Sequence, residues 1–230
     1  MDFMPADTLS NSARFITFEG GEGVGKSTQV RRLVARLGAA GIGAVRTREP
    51  GGTPKAEAIR SFLLQGRSES WGPGGEAVLF AAARLDHVNT LIAPTLQSGK
   101  WVICDRFADS TRAYQGVGGG VDEALIDGLE ELALNGYAPD LTFVLDMDPD
   151  LAFERVRERA AADGLPVLGD RFEKEDLDFH RRLRESFLAI AALNSERCVV
   201  LSADTDEGSL AEAIWQAVID RYPHVAEDIP

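Results

Sequence analysis

The residues with the clearest chemical signature form a glycine-rich run that ends in a lysine and a serine. The run is Gly20-Gly21-Glu22-Gly23-Val24-Gly25-Lys26-Ser27, which fits the pattern G-x-x-x-x-G-K-[ST] at every fixed position. Glycines let backbone N–H groups converge on phosphate oxygens, and the lysine reaches the β- and γ-phosphates. Ser27 supplies a hydroxyl ligand for Mg²⁺, and Thr28 follows it directly. This run, here called the phosphate loop, predicts a site for a nucleoside triphosphate and magnesium.

A loop of this kind is shared by GTPases, motor ATPases and small-molecule kinases. A GTPase is expected to carry Asn-Lys-x-Asp for guanine, yet none of the four lysines follows an asparagine. A motor ATPase usually needs a larger coupled machine, and this chain is short and has no basic track. The sequence therefore favours a kinase that acts on a small molecule.

A second pair of chemical residues, Asp105 and Arg106, follows the apolar run 101–104. If that run is a parallel strand, the pair lies at the same sheet edge as the phosphate loop. Asp105 can then join the magnesium shell, and Arg106 can bind a phosphate through both arms of its guanidinium. A salt bridge between the two residues that caps the strand fits the same dipeptide.

A third group lies on one face of a predicted helix over 75–98. Phe80, Arg84 and His87 are spaced at i, i+4 and i+7, so they share that face. The pair Phe80 and Arg84 suits a planar base that stacks on the ring and accepts a hydrogen bond from the guanidinium. A plain cation–π or surface pair fits the spacing as well.

The elements that must position these residues alternate along the chain. Apolar runs expected of strands covered on both faces occur at 14–19, 44–47, 101–105, 141–146 and 198–202. Helix-period segments fall between them at 26–39, 54–65, 75–98, 122–135, 149–162, 171–194 and 207–221. This order predicts the α/β fold of the phosphate-loop NTPases, a five-stranded parallel sheet with helices on both faces.

Composition limits the partners of the protein. The 230 residues include 24 basic and 37 acidic side chains, a formal charge of −13. Such a charge repels polyanions at long range, which argues against a nucleic-acid binder or an anionic membrane surface as a partner. The sequence has no apolar run near 18 residues, so no membrane span is expected. Any anionic substrate must be held by local cations.

The two cysteines and the chain ends complete the outline. Cys104 and Cys198 sit in apolar runs, which indicates buried free thiols and, with no signal peptide visible, a cytoplasmic protein. Residues 1–12 are expected to form a flexible arm. No repeat or long linker interrupts residues 13–225, so a single domain is predicted there.

Several segments together resemble the thymidylate kinase family, whose members make dTDP from dTMP and ATP. The resemblance spans about residues 14–221 and its motifs are specific in combination. The segments that carry it are Phe18 to Thr28, Thr47-Arg48-Glu49-Pro50-Gly51-Gly52-Thr53, Phe80 to His87, Asp105 to Gln115 and Asp170-Arg171-Phe172-Glu173.

The resemblance implies a role for each matching residue. Phe80 stacks on thymine, Arg84 bonds its O4, and Gln115 lies near the base. Tyr114 crowds the 2′ position and so favours deoxyribose. The 5′-phosphate of dTMP is held by Arg48 and Arg106, with Ser110 in the same motif. For Glu19 and Glu49, two roles stay open: a water-mediated contact near the metal or sugar, or a structural ion pair.

The resemblance also implies a lid of the bacterial type, at about residues 155–172, which delivers an arginine on closure. The variable positions of the phosphate loop hold no basic residue, so the lid must supply it. Arg157 or Arg159 is the expected catalytic group beside Lys26 and Arg106, and Arg155 is a weaker candidate. The alternative is a solvated helix face paired with Glu154 and Glu158.

The resemblance further implies a homodimer. Two other functions stay open on the sequence alone. One is a related nucleoside monophosphate kinase with different base specificity, and the other is a nucleotide-binding module without turnover.

Overall fold

Five parallel strands form one sheet in the order β2-β3-β1-β4-β5. The computed structural model describes residues 13–162, 172 and 175–227, so the predicted arm and residues 163–171 of the predicted lid lie outside the description. The strands are β1 Phe15–Glu19, β2 Ala44–Arg48, β3 Trp101–Asp105, β4 Leu141–Asp146 and β5 Cys198–Ser202. Each predicted strand is confirmed to within one residue at either end.

Helices join the successive strands, and two more follow the last strand. They are α1 Lys26–Ala39, α2 Pro54–Leu64, α3 Gly72–His87, α4 Ala93–Gln97, α5 Ala108–Thr111, α6 Glu123–Leu134, α7 Pro149–Ala162, α8 Leu177–Leu193, α9 Glu207–Arg221 and α10 His224–Glu227. Wider π-helical turns at Val88–Ile92 and Arg112–Gly118 continue α3 and α5, and a 3₁₀ turn spans Glu69–Trp71. Of the helices in these ranges, none combines the length and apolar character that a membrane span needs.

Three helical predictions differ from the structure. The helix predicted at 75–98 begins earlier, at Gly72, because Pro73 is favourable in a first turn. It also contains the π-helical turn Val88–Ile92, which the periodicity did not predict. The helix predicted at 171–194 begins at 177, because the Asp176 side chain caps it by accepting from Phe179 N. The segment 108–118 was not predicted to be helical, since Gly116 to Gly120 has the composition of a turn.

The two faces of the sheet are both covered, as the sequence predicts. On one face, Ile16 and Phe18 pack with Leu33 of α1 and Ile214 of α9. On the other face, β1 contributes Phe15, which belongs to a cluster with the π-helical turn Val88–Ile92 and α4. Alternate residues of one strand thus enter opposite cores, which fixes the sheet between two helical layers.

The carboxyl ends of all five strands meet at one edge because the strands are parallel. Glu19, Arg48 and Asp105 are the last residues of the three neighbouring strands β1, β2 and β3. Arg48 pairs in register with Asp105, which lies beside Phe18 of β1. The chemical residues found in the sequence therefore lie at this edge.

Candidate active site

The phosphate loop leaves β1 through a glycine that no other residue can replace without strain. Gly20 has φ +128°, and a Cβ there would collide with the backbone oxygen of Leu145 in β4. Gly25, with φ +94°, precedes α1 and gives that helix no side-chain cap. The first N–H groups of α1 are therefore left for a phosphate, as the motif predicts.

Lys26 lies across this loop and is buried. Its Nζ donates to the carbonyl oxygens of Gly20 and Gly21, at 3.1 and 2.5 Å. Burial, and then the positive charge of Arg106, lower the pKa of Lys26 to about 8, although Glu22 acts in the opposite direction. The negative charge of a bound polyanion would stabilise the charged form of this buried ammonium group. Lys26 is therefore suited to bind the phosphates of ATP.

The predicted magnesium ligands are in direct contact. The Ser27 hydroxyl donates to the Asp105 carboxylate, across the gap between the start of α1 and the end of β3. Both are oxygen donors of the kind that Mg²⁺ prefers. Among the described residues, no three His, Cys, Asp or Glu side chains cluster to hold a metal. A magnesium ion here would take its other ligands from water and substrate phosphates, its usual arrangement.

Arg106 adopts a left-handed backbone conformation, φ +68°, directly after β3. Its guanidinium donates to Gly20 O at 2.9 Å, Ser110 Oγ at 3.1 Å and Tyr114 OH at 3.0 Å, and it forms an ion pair with Glu22 at 2.5 Å. The alternative of a cap between Asp105 and Arg106 is therefore wrong: Asp105 contacts Ser27 and Arg106 contacts Glu22. Arg106 thus joins the phosphate loop to the π-helical turn Arg112–Gly118, which carries Tyr114.

Glu22 has a role that the sequence did not indicate, because its position in the motif is variable. Its carboxylate accepts from both Arg106 and Tyr114, whose hydroxyl lies at 2.8 Å. Burial alone would raise the pKa of Glu22, but the charges of Arg106 and Lys26 outweigh it and lower the pKa to about 2. The acid is therefore ionised and neutralises the cations of the free site.

Glu19 is fully buried and holds the turn that carries Arg106. Its oxygens accept from Phe107 N at 2.7 Å and from Ser110 Oγ at 2.6 Å. These hydrogen bonds, and not an ion pair, are its described contacts. Burial, followed by the charge of Asp109, raises the pKa of Glu19 to about 8.

Arg84 and Phe80 lie on the same side of α3, as their spacing predicts. The aromatic ring that Arg84 contacts, however, is that of Phe107. Arg84 is 2% exposed; Nε donates to Glu49 at 2.8 Å, and Nη2 donates to Phe107 O and Thr111 Oγ1. Its guanidinium carbon lies 5.1 Å from the ring centre of Phe107. The proposed cation–π pair with Phe80 is not what the structure shows.

Phe80 and Tyr114 are brought together by an aromatic residue that the sequence analysis did not assign to the site. The ring of Phe172 lies 6.3 Å from that of Phe80 and 5.4 Å from that of Tyr114. Tyr114 and the buried Gln115 both belong to the π-helical turn, a feature that is frequent at functional sites. A hydrophobic pocket wall thus lies beside Arg106.

Arg48 is placed at the same sheet edge but is tied to a different partner. Its side chain is 54% exposed and donates to both carboxylate oxygens of Glu57 at 3.1 Å. Glu57 in turn accepts from Gly52 N at 3.0 Å, so it braces the turn before α2. Among the described contacts, Arg48 is therefore bound to Glu57 and not to Arg106.

The arginines predicted for the lid lie on α7, a helix that packs on the phosphate loop. A Cβ at Gly23 would approach Ala152 O to 2.6 Å and Val156 Cγ2 to 2.9 Å, so the loop and the helix are in close contact. Arg155 donates to Ala203 O at 2.7 Å and points toward the chain after β5. Arg157, next to Val156, is exposed. The side chain of Arg159 lies outside the description.

A parallel sheet in this strand order, a loop with its lysine and serine, and an Asp-Arg pair beside an aromatic pocket are typical of phosphate-loop kinases that act on small molecules.

Comparisons with known proteins give the family within this class. The family model described as thymidylate kinase matches residues 18–214. A thymidylate kinase of Nitrobacter winogradskyi is 50% identical over 212 residues, 92% of this chain and 90% of the relative. One from Rhodopseudomonas palustris is 52% identical over 206 residues, 89% of this chain and 88% of the relative. The crystal structure of a thymidylate kinase from Ehrlichia chaffeensis aligns with a TM-score of 0.72 and 33% identity, covering 90% of this chain and 99% of that one. The chain belongs to the thymidylate kinase family.

Proposed function

We propose that this protein is an ATP-dependent kinase that transfers the γ-phosphate of ATP to dTMP, giving dTDP and ADP. The observation that carries the proposal is the position of the Arg106–Phe107 turn. Arg106 contacts the phosphate loop at Gly20, and the backbone of Phe107 contacts Arg84 in the base pocket. One turn thus links the site of the phosphoryl donor to the site of the acceptor.

The acceptor is held by the side chains that surround this turn. Thymine stacks on Phe80 and accepts a hydrogen bond at O4 from Arg84, while Gln115 lies near the base. Cytosine is disfavoured because it presents an amine donor where the guanidinium requires an acceptor. Tyr114 lies against the sugar and favours deoxyribose. Arg106, with Ser110 beside it and Arg48 on the neighbouring strand, binds the 5′-phosphate.

The donor is held by the phosphate loop. Backbone N–H groups of the loop and of the first turn of α1, with Thr28 next to Ser27, bind the ATP phosphates, and Lys26 exchanges two carbonyl oxygens for the β- and γ-phosphates. Ser27 and Asp105 would hold Mg²⁺. When bound, the ion neutralises charge on the ATP phosphates.

The reaction needs positioning more than proton transfer. An oxygen of the dTMP 5′-phosphate forms a bond to the γ-phosphorus, while the bond from that phosphorus to the bridging oxygen breaks and leaves its electron pair on ADP. A phosphate monoester is largely a dianion at neutral pH, so the attacking oxygen needs no general base. Lys26 and Arg106 stabilise the charge that develops on the transferred group.

A further arginine is expected from the lid at about residues 155–172 of a single kinase domain over 13–225. Arg157 and Arg159 are the candidates. The contact of α7 with Gly23 supports this helix as the carrier. The hydrogen bond from Arg155 to Ala203 O favours Arg157 and Arg159 over Arg155. The competing interpretation is that these arginines form a solvated helix face.

The described surface supports a homodimer as the working form. Large apolar side chains on α3 and α6, which pack on one another, are exposed: Val78 at 49%, Leu125 at 45% and Leu132 at 64%. The cytoplasm is the proposed compartment, because Cys104 and Cys198 are buried free thiols.

An ADP-release assay with ATP, dTMP and magnesium tests the proposed function. The wild-type protein should release ADP only when dTMP is present, and Lys26→Ala should lower kcat/KM by about 10²-fold or more, since it removes a charge from the transferred group. A wild-type protein that binds ATP without releasing ADP would instead be a nucleotide-binding module.

A further inference from the structure

A buried chain of polar side chains contacts the guanidinium of Arg84. Glu49, the residue directly after β2, is buried, and both of its carboxylate oxygens form hydrogen bonds. Oε2 accepts from Arg84 Nε at 2.8 Å, and Oε1 contacts His87 Nδ1 at 2.9 Å. His87 is completely buried, and its Nε2 lies 2.7 Å from the hydroxyl of Thr47. The four residues form one continuous network.

The chemistry of these groups fixes the direction of the central hydrogen bonds. A carboxylate can only accept, so Nδ1 of His87 must carry the hydrogen that points to Glu49. The Thr47 hydroxyl then meets the other ring nitrogen and holds the imidazole in place. Glu49 is therefore held by His87 on one oxygen and is free to orient Arg84 with the other.

The guanidinium of Arg84 is left with one available arm. Its Nε is bound to Glu49, and its Nη2 is bound to Phe107 O and Thr111 Oγ1. Within the described residues, Nη1 makes no such hydrogen bond. Because the guanidinium is planar, fixing two of its nitrogens also fixes the direction of the third.

We propose that Glu49 and His87 are positioning residues that hold Arg84 in the orientation needed to select a pyrimidine with an oxygen at C4. The proposal rests on the proposed function, in which Arg84 contacts the base. Glu49 and His87 act through Arg84 and do not touch the substrate. Loss of a residue that only stabilises the fold would change the KM for both substrates. Loss of this network should instead change the KM for dTMP and leave the KM for ATP unchanged.

A double-mutant cycle between Glu49 and Arg84 tests the proposal. Glu49→Gln should raise the KM for dTMP about tenfold, with the KM for ATP changed less than twofold. It should also reduce the preference for dTMP over dCMP. In an Arg84→Gln background the same change should raise the KM for dTMP less than twofold, because the group that Glu49 orients is gone. Equal effects in the two backgrounds would overturn the proposal.

A pair of variants at His87 keeps the test decisive if Glu49→Gln folds poorly. Asparagine places an N–H donor near the position of Nδ1, whereas leucine removes it. His87→Asn should therefore retain most of the selectivity for dTMP over dCMP, and His87→Leu should lose it. If both variants keep the wild-type ratio, or both lose it equally together with ATP affinity, the positioning role is wrong.

One control variant and the activity of the wild-type protein separate this proposal from the function on which it rests. Glu212→Gln breaks an exposed Glu–Arg pair with Arg36, and should leave both KM values unchanged. A wild-type protein that does not phosphorylate dTMP would contradict the proposed function itself. A wild-type enzyme that works, with selectivity unaffected by Glu49 or His87, would contradict only the positioning role.

Discussion

Acidic side chains organise the cations of this site before any substrate arrives. Glu22 binds Arg106, Glu49 binds Arg84, and Glu57 binds Arg48, so each arginine proposed to contact dTMP is paired. Such pairing keeps positive groups close together in spite of their repulsion. Substrate binding at Arg106 then exchanges one anion for another, which limits the cost of removing that arginine from water.

Glu19 provides a prediction about stability, because its carboxyl group is buried without a cation in direct contact. A pKa raised to about 8 means that the folded protein keeps this proton up to a higher pH than the unfolded chain does. The free energy of unfolding should therefore contain a contribution that declines from about pH 4.5 to pH 8, by up to about 1.4 kcal/mol per pH unit.

The Glu19→Gln variant should lack this decline, since an amide does not titrate. Urea unfolding of both proteins at pH 5.5 and pH 8 measures it, and the variant should gain stability relative to the wild type as the pH rises. A difference between the two proteins that is the same at both pH values would show that Glu19 titrates normally.

The sequence predicted the site residues that a motif fixes, and it missed contacts that only the fold creates. The lysine, serine and aspartate of the nucleotide site follow from the motif and its strand. The ion pair of Glu22 with Arg106 did not, because it joins residues 84 positions apart at a variable position of the loop. Glu19 likewise finds its partners in a turn that follows a different strand.

The contact between the phosphate loop and α7 can be tested with two glycine variants. Gly23 and Gly25 both have positive φ, but only Gly23 lies against the helix; a Cβ at Gly25 has open space around it. Gly25→Ala should thus cost backbone strain alone, about 1 kcal/mol. Gly23→Ala should cost that strain plus the displacement of α7, about 1–3 kcal/mol more.

Thermal unfolding without nucleotide compares the two variants directly. For a chain of this size, each kcal/mol corresponds to a shift of about 2–4 °C in Tm. The loss in Gly23→Ala should be at least twice that in Gly25→Ala. Equal losses would mean that α7 does not pack on the loop as described.

The lid arginines give a second prediction for α7. Arg157→Ala or Arg159→Ala should lower kcat by about 10²-fold or more with little change in the affinity for dTMP, since their charge is needed only in the transition state. Arg181→Ala, which breaks exposed ion pairs with Asp150 and Asp178, is a matched control. The assignment fails if both single variants and the double variant keep the wild-type kcat.

Sequence periodicity located the long helices and strands well, because short apolar runs and helical apolar stripes are compatible with few other secondary structures. It did not locate the π-helical turn at Arg112–Gly118, which carries Tyr114 and Gln115. Such a turn has weaker local preferences than an α-helix and depends on tertiary contacts. Here Tyr114 is held by Glu22 and Phe172, which are distant in sequence, and by Arg106 in the preceding turn.

The net charge of −13 is compatible with anionic substrates because cations are concentrated locally at the site. The sequence has 20 arginines and only four lysines, and the phosphate loop uses one of those lysines. A planar guanidinium suits phosphate and base-edge recognition in fixed geometry. Excess acid elsewhere, as on α6 and α9, lies outside the described site.

The proposed homodimer can be tested by placing charge on its expected interface. If α3 and α6 form the interface, Val78→Glu or Leu132→Glu places charge in an apolar contact and should shift the protein from dimer to monomer in analytical sedimentation. Leu193→Glu, at an even more exposed apolar position on α8 (84%), should leave the dimer intact. A wild-type protein that sediments as a monomer at micromolar concentration contradicts the proposal.

The most direct test of the central claim is a panel of acceptors under identical conditions: dTMP, dUMP, UMP, dCMP and dGMP, each with ATP and magnesium. Base recognition by Phe80 and Arg84, with Tyr114 against the sugar, predicts the highest kcat/KM for dTMP. The values should be lower for dCMP, which lacks an oxygen at C4, and for UMP, which carries a 2′-hydroxyl. Turnover of UMP or dGMP that is faster than turnover of dTMP would contradict the account.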